Sequence, residues 1–151
     1  MSLPRLRPVL VALALSMLAC AGLSRESGVC LPNQLDETAR GYIRDKQLLE
    51  DGETVRAYYD ITVSLDGSEI ALVTDKRLVY HKGGVTTAVA LADVEKIERH
   101  PVQLGDDFVI TSRDGQMLQV EIAALNGADT WESALDGAWK AARAGQGEPA
   151  P

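Results

Sequence analysis

The residues of this chain that could do chemistry are few, and its two cysteines come first among them. Cys20 ends an apolar stretch, and Cys30 follows ten residues later. In an exported protein two cysteines ordinarily indicate one disulfide, whereas a catalytic thiol needs a base or a positive charge beside it. No histidine stands near Cys30 in the sequence, so the pattern does not favour a catalytic cysteine.

The residues before Cys20 have the anatomy of an export signal. A basic start at Arg5 and Arg7 precedes the apolar stretch VLVALALSML, residues 9–18. As a helix, a stretch of this length rises about 15 Å, roughly half of what a membrane span requires. Its end, SMLAC at residues 16–20, resembles the bacterial lipobox, in which signal peptidase cuts just before a lipid-modified cysteine.

This resemblance implies that residues 1–19 are a signal peptide and that Cys20 carries the acyl chains, palmitate among them, of a lipoprotein anchor. Ala21 in the next position implies delivery to the periplasmic face of the outer membrane in a cell with two membranes. An acylated Cys20 has no thiol to offer, so Cys30 stays a thiol or links two chains. The alternative is an ordinary signal peptide cut near Ala19 or Ala21, which would release a soluble secreted protein.

A second group of candidate residues lies in TDKRLVYHK, residues 74–82. The cations Lys76, Arg77 and Lys82 are candidates for binding the phosphate of a lipid headgroup. The simpler interpretation is that the Thr-Asp pair before Lys76 bonds amides in a turn while Arg77 faces a carboxylate or a carbonyl. The acidic residue inside the cluster weighs against a phosphate site.

The remaining chemical inventory is thin. His81 falls on the face of a predicted strand that alternation makes polar, and His100 precedes Pro101 in extended or turn geometry. Asp106 and Asp107 are adjacent in a turn, where neighbouring carboxylates point apart. No sequence pattern of a zinc protease, a serine hydrolase or a phosphate-binding loop is present. The sequence therefore predicts a protein that is not an enzyme and that uses no metal or cofactor.

Composition and charge limit the class of protein. The 151 residues are 46% apolar and 25% charged, which suits one globular domain. Removal of residues 1–19 takes away Arg5 and Arg7 and no acidic residue, so the net charge goes from −7 to −9. Nucleic acids and anionic membrane surfaces are bound chiefly through clustered Lys and Arg, so neither is a predicted electrostatic partner.

The elements after the leader must position these residues. Residues 20–33 contain Gly, Ser and Pro without an apolar period, which predicts a flexible tether that spans at most about 40 Å. Residues 34–52 are a predicted helical lead-in, and residues 144–151 are a predicted disordered tail. The domain itself is predicted to span residues 53–143.

The domain has the period of two that is typical of strands, interrupted by turn dipeptides. No helical pattern lies between the strands to carry a parallel crossover, so the sheet should be antiparallel. A final helix has Trp131, Leu135 and Ala138 on one stripe and Trp139 at its partly exposed edge. About seven strands are predicted, from eight candidate segments at residues 54–59, 61–65, 69–75, 77–82, 86–91, 94–98, 107–111 and 118–122.

Seven antiparallel strands followed by one helix is the arrangement of the pleckstrin-homology-like (PH-like) superfold. The segments EIALVTDKRLVYHKGG, VALADVEKIE and DFVITSRDGQMLQVEI, followed by a Trp-bearing helix, resemble bacterial PH-like domains. The resemblance covers residues 53–142. It implies a mainly β domain, a PH-like sandwich or partly open barrel, preceded by a short N-terminal helix and closed by a C-terminal one.

These features predict a lipid-anchored protein of the bacterial cell envelope whose PH-like domain is a non-catalytic binding or assembly module. Its expected partners are the membrane, through the N-terminal acyl anchor, and an envelope protein or peptide. One alternative is a small secreted or periplasmic enzyme or inhibitor with a cleft between the final helix and the sheet. The other is a phospholipid-headgroup binder that uses Lys76, Arg77 and Lys82.

Overall fold

The computed structural model describes residues 28–147, which fold into two antiparallel sheets with two α-helices. The predicted signal peptide, Cys20 and the last residues of the predicted tail lie outside the described residues. No helix within residues 28–147 is long and apolar enough to cross a membrane. The elements are β1 Val29–Cys30, α1 Glu37–Asp45, β2 Val55–Asp60, β3 Glu69–Thr74, β4 Arg77–Lys82, β5 Val85–Ala90, a 3₁₀ turn Leu91–Asp93, β6 Val94–Val102, β7 Gly105–Ser112, β8 Met117–Ala123 and α2 Ala128–Gly145.

The first sheet has the strand order β1-β2-β3-β4-β5, and the second has the order β6-β7-β8. Every neighbouring pair is antiparallel, with tight turns such as Gly83-Gly84, whose φ angles of 56° and 81° suit only glycine without strain. The predicted fold class is confirmed for the described residues. They are mainly β, with a short helix before the long strands and a helix after them.

β1 lies inside the segment 20–33 that the sequence predicts to be a flexible tether. Val29 pairs with Tyr59 of β2, and the Val29 amide donates to the carbonyl of Asn126 at 2.8 Å. A strand of two residues has no periodicity, so no sequence pattern indicates it. From Val29 onward the predicted tether is therefore part of the folded domain.

Residues 61–65 alternate like a strand but form a loop. The Asp60 carboxylate at the end of β2 accepts hydrogen bonds from the amides of Thr62 and Gly67, each at 3.0 Å. Leu65 and Gly67 have φ angles of 51° and 76°, which a strand does not allow. The strand predicted at residues 61–65 is wrong, because the carboxylate gives the amides of the loop a local alternative to a sheet ladder.

Both faces of the five-stranded sheet are buried. One face packs with the second sheet and α2 around Trp131 and Phe108. The other face, around Ile70, is covered by α1 through Ile43. His81 lies on this second face and is 3% exposed, so its prediction as a residue on a polar face is wrong. Alternation along β4 cannot reveal this burial, because the cover comes from a distant helix.

The two helices are held by specific bonds as well as by packing. The Asp36 carboxylate caps α1 by accepting from the Ala39 amide at 2.7 Å. On α2, Trp139 is 7% exposed, and its Nε1 donates to the carbonyl of Val94 at 3.2 Å. The partly exposed position predicted for Trp139 is therefore wrong, because α2 packs against the 3₁₀ turn and Trp139 bonds to Val94 at the start of β6.

Candidate functional site

Arg77, one of the candidates for phosphate binding, begins β4 and faces two carboxylates. Its guanidinium donates to both oxygens of Glu53, with Nε–Oε1 at 2.8 Å and Nη2–Oε2 at 2.6 Å, and its Nη1 lies 2.9 Å from Oε1 of Glu50. The Thr74 hydroxyl donates to Glu53 at 2.7 Å and accepts the Arg77 amide at 2.8 Å. Thr74 and Arg77 thus have the turn and carboxylate contacts that the sequence predicts.

Glu53 and Glu50 together engage all three nitrogens of this guanidinium. The Glu53 side chain is fully buried, and that of Arg77 is 19% exposed. Burial raises the pKa of Glu53, but hydrogen bonds from Arg77, the Glu50 amide and Thr74 outweigh it and lower the pKa to about 2. A phosphate that binds Arg77 would have to compete with a bidentate, buried carboxylate.

The two lysines of the same candidate set lie apart. Lys76 Nζ donates to the carbonyl of Asp51 at 3.3 Å beside the start of β4. Lys82, at the other end of β4, pairs with Glu69 at 3.0 Å. The length of β4 places Arg77 and Lys82 about 17 Å apart along the strand. The structure therefore does not bring the three candidate cations together in one pocket.

Cys30 and His81 lie on different strands, β1 and β4, and each makes its polar contact with a different residue. The Cys30 thiol on β1 donates to the Gly28 carbonyl at 3.7 Å. His81 Nδ1 lies 2.8 Å from the Thr86 hydroxyl, and burial lowers the pKa of the ring. Among residues 28–147, no group of three or more His, Cys, Asp and Glu is placed to hold a metal ion.

A cleft of about 690 Å³ lies between α2 and the first sheet, where the enzyme or inhibitor alternative expects its site. Small residues of α2, such as Ala134 and Gly137, form one wall, and Leu31, Arg56 and Asp75 contribute to the other. The described residues of the lining include no cysteine or histidine. The cleft is thus large enough for a small ligand, but its described lining lacks a cysteine nucleophile or a histidine base.

The surface that the sequence analysis missed is the outer edge of β5. β5 ends the first sheet, and among the described strands it pairs with β4 alone. Its sequence, VTTAVA, has no charge and no proline, and its first half, residues 85–87, is exposed. Such an edge presents unpaired N–H and C=O groups to any extended chain that approaches it.

The other edge strands are protected. β6 carries charged residues and Pro101 along its length, and both features discourage the addition of a further strand. β8 carries Glu121, and β1 has two residues. Within the described part of the chain, β5 is therefore the long edge without a charge or a proline.

The paired side of β5 holds this edge in a fixed position. Its register with β4 runs without a break from Arg77↔Ala90 to Lys82↔Val85. Val89 is 2% exposed and anchors the strand in the core. Because alternate residues of an antiparallel edge point their amides and carbonyls outward, β5 is a rigid template for pairing. The uncharged run VTTAVA indicates a strand without the usual protection of an edge, but the sheet order alone shows that this strand is an edge.

Comparison with known proteins adds little to these observations. No protein-family model matches the chain, and no curated protein is similar to it in sequence. Among solved structures, the chain is similar to the crystal structure of the C-terminal domain of an unknown protein from Leishmania infantum. The identity is 12%, the match covers 66% of this chain and 93% of the other, and the TM-score is 0.43. No inference about function follows from a likeness at this level.

Proposed function

We propose that this chain is a lipid-anchored protein of the bacterial cell envelope, and that its PH-like domain is a non-catalytic binding module. Acylated Cys20 would hold it at the periplasmic face of the outer membrane. The observation that supports binding is the uncharged, unpaired edge of β5. An extended segment of an envelope protein would add to this edge as a further strand.

Strand addition suits the chemistry of this edge. Main-chain hydrogen bonds would give the affinity, and the exposed side chains of Val85 and Thr87, on one face, would contribute specificity. The partner is expected to be an uncharged or basic segment, because the removal of residues 1–19 takes the net charge of the chain from −7 to −9.

The anchor is tested by metabolic labelling with radioactive palmitate. The unmodified chain should incorporate label, and the Cys20→Ala variant should not. The lipobox supports this expectation, and more than one acyl chain is needed for stable anchoring, since each buried methylene contributes about 0.8 kcal/mol. Equal absence of label from both proteins would remove the anchor from the proposal.

The binding edge is tested by crosslinking in the native envelope, followed by mass spectrometry. Thr87→Lys places a charge on the exposed part of β5 and should abolish the crosslinked partner. Gln116→Lys adds the same charge on the exposed β7–β8 turn and serves as the matched control, which should keep the partner. A partner that survives Thr87→Lys unchanged would mean that the β5 edge does not bind it.

A ligand or substrate in the cleft beside α2 is the second candidate, favoured by its volume of about 690 Å³. Ala134→Trp would fill this cleft and leave β5 untouched. Loss of a partner or an activity in Ala134→Trp, with no effect of Thr87→Lys, would favour the cleft. The headgroup alternative predicts that the Cys20→Ala chain floats with anionic liposomes at low salt, and that this flotation depends on Lys76, Arg77 and Lys82.

A further inference from the structure

Leu125 is fully exposed and lies in an unfavourable backbone conformation. It belongs to the turn between β8 and α2, its side chain is 103% exposed, and its φ is 69°. A branched side chain in the left-handed region costs free energy that Asn or Gly would largely avoid. Because the exposed side chain recovers none of this cost through packing, the fold does not explain why a leucine stands here.

A second exposed leucine lies beside it. Leu104, in the turn between β6 and β7, is 70% exposed, and its carbonyl accepts the amide of Ala124 at 2.7 Å. Val102, which precedes this turn, is 39% exposed. The backbone bond holds the two turns side by side, so the two leucines lie at the same end of the molecule.

The described part of the chain begins at this same end. A Cβ on Gly28 would lie 3.2 Å from the carbonyl oxygen of Asn126, and that oxygen accepts the amide of Val29. Residues 21–27 connect Cys20 to Gly28, and a chain of this length spans at most about 30 Å. We call residues 28–29, 102–105 and 124–127 together the tether end.

The tether end carries no charge of its own, a property that it shares with residues 83–92 around β5. Its three segments, GV, VQLG and ALNG, contain no charged residue, whereas the whole chain has a net charge of −7. Anionic lipids repel an acidic surface, so this neutral end approaches a bilayer at a lower electrostatic cost than the acidic parts of the protein do. Exposed leucines on a neutral end add a favourable apolar contribution at a bilayer interface.

We propose that the tether end docks on the bilayer that holds Cys20, with Leu104 and Leu125 inserted into its interfacial region. This inference rests on the proposed acyl anchor and adds an orientation to it. The far end of the β7–β8 hairpin then points away from the membrane. Gly105 pairs with Ala123 at the docked end, and Met117 lies at the opposite end, about 20 Å away along the strands.

The test uses the full, acylated chain in vesicles of phosphatidylethanolamine and phosphatidylglycerol with brominated acyl chains, which quench nearby tryptophan. Leu104→Trp and Leu125→Trp each place a probe at the tether end. Met117→Trp is the matched control, since Met117 is also an exposed apolar residue, at 67%. The buried Trp131 and Trp139 give a background that is subtracted with the unsubstituted protein.

We expect the emission of Leu104→Trp and Leu125→Trp to shift to the blue and to be quenched, and that of Met117→Trp to do neither. Quenching at Met117→Trp, or at none of the sites in a chain that mass spectrometry shows to be acylated, overturns the orientation and leaves the anchor standing. A blue shift without quenching places a protein surface on the leucines and overturns the docking. An unacylated Cys20 overturns the anchor, and the inference fails with it.

Discussion

Glu53 joins parts of the chain that are far apart in sequence. It accepts hydrogen bonds from Arg77 and Thr74, while Glu50, on the outer side of the same guanidinium, is 63% exposed. Glu53→Gln keeps the shape and removes the charge, which leaves Arg77 without its buried partner. We expect it to lower the free energy of unfolding in urea at pH 7 by about 3 kcal/mol.

Glu50→Gln is the matched control, because it removes the exposed carboxylate of the same cluster. We expect it to change the free energy of unfolding by less than about 1 kcal/mol, as is usual for exposed ion pairs. Equal losses in the two variants would show that burial of Glu53 does not strengthen the pair.

The low pKa of Glu53 also predicts how the stability depends on pH. The folded pKa of about 2 lies below the ordinary value of 4.5, so the stabilisation is complete above about pH 4.5 and is lost as the pH falls toward 2. The difference in stability between the unsubstituted protein and Glu53→Gln should shrink across this interval. A difference that stays constant from pH 5 to pH 2 would exclude the ionised carboxylate as its source.

Leu125→Asn should stabilise the fold, because Asn tolerates the left-handed region in which Leu125 is held. We expect a gain of about 1 kcal/mol in the free energy of unfolding. Leu104→Asn is the control, since Leu104 is an exposed turn leucine outside the positive-φ residues, and it should bring no gain. A loss of stability in Leu125→Asn would mean that the side chain packs in a way that its exposure conceals.

At the scale of the element, the sequence was informative where a strand has one dry face and one wet face. β8 alternates between exposed and buried residues, and Phe108 and Ile110 of β7 do the same, so both strands could be predicted. The prediction from this period was wrong at residues 61–65, where the Asp60 carboxylate holds a loop. The period could not indicate β1, because a strand of two residues is too short to show it. The period also gave a wrong prediction for His81, because α1 buries the face of β4 that the alternation predicts to be polar.

The candidate site could be predicted only in part, because an edge is a property of topology. Residues 86–91 were predicted as a strand, but nothing in VTTAVA says whether a neighbour pairs with one side or with both. The cations Arg77 and Lys82 are close in sequence, yet an extended strand separates them by its full length. Nearness in sequence therefore suggested a cluster that the geometry of a strand does not permit.

The β7–β8 hairpin requires glycine at the start of β7. A Cβ on Gly105 would lie 2.0 Å from the carbonyl oxygen of Ile122, which belongs to the paired strand. We expect Gly105→Ala to lower the free energy of unfolding by more than about 2 kcal/mol, because backbone must move to make room.

Gly137→Ala is the matched control for this substitution. Gly137 lies within α2, and a Cβ there meets nothing within 4 Å. Alanine favours a helix over glycine, so Gly137→Ala should raise the melting temperature and the free energy of unfolding, the latter by about 1 kcal/mol. Similar effects of the two substitutions would contradict a tight approach at Gly105.

At the scale of the whole molecule, the acidic balance predicts how vesicle docking responds to salt. Salt screens the repulsion between anionic lipid and the acylated protein, whose net charge goes from −7 to −9 when residues 1–19 are removed. The quenching of Leu104→Trp on these vesicles should therefore stay constant or increase as salt is raised. Docking through Lys76, Arg77 and Lys82 would weaken with salt, so a loss of quenching in a salt titration would favour those cations.

The pairing of β1 with β2 also has a mechanical consequence. A pull on the residues before Gly28 passes first to the two residues of β1 and to the bond between Val29 and Asn126. The ladders from β2 to β5 are several residues long, so β1 detaches before they do. Its detachment frees residues 29–30 and lengthens the connection by about 7 Å. Under tension the domain thus gains reach without losing its long strands.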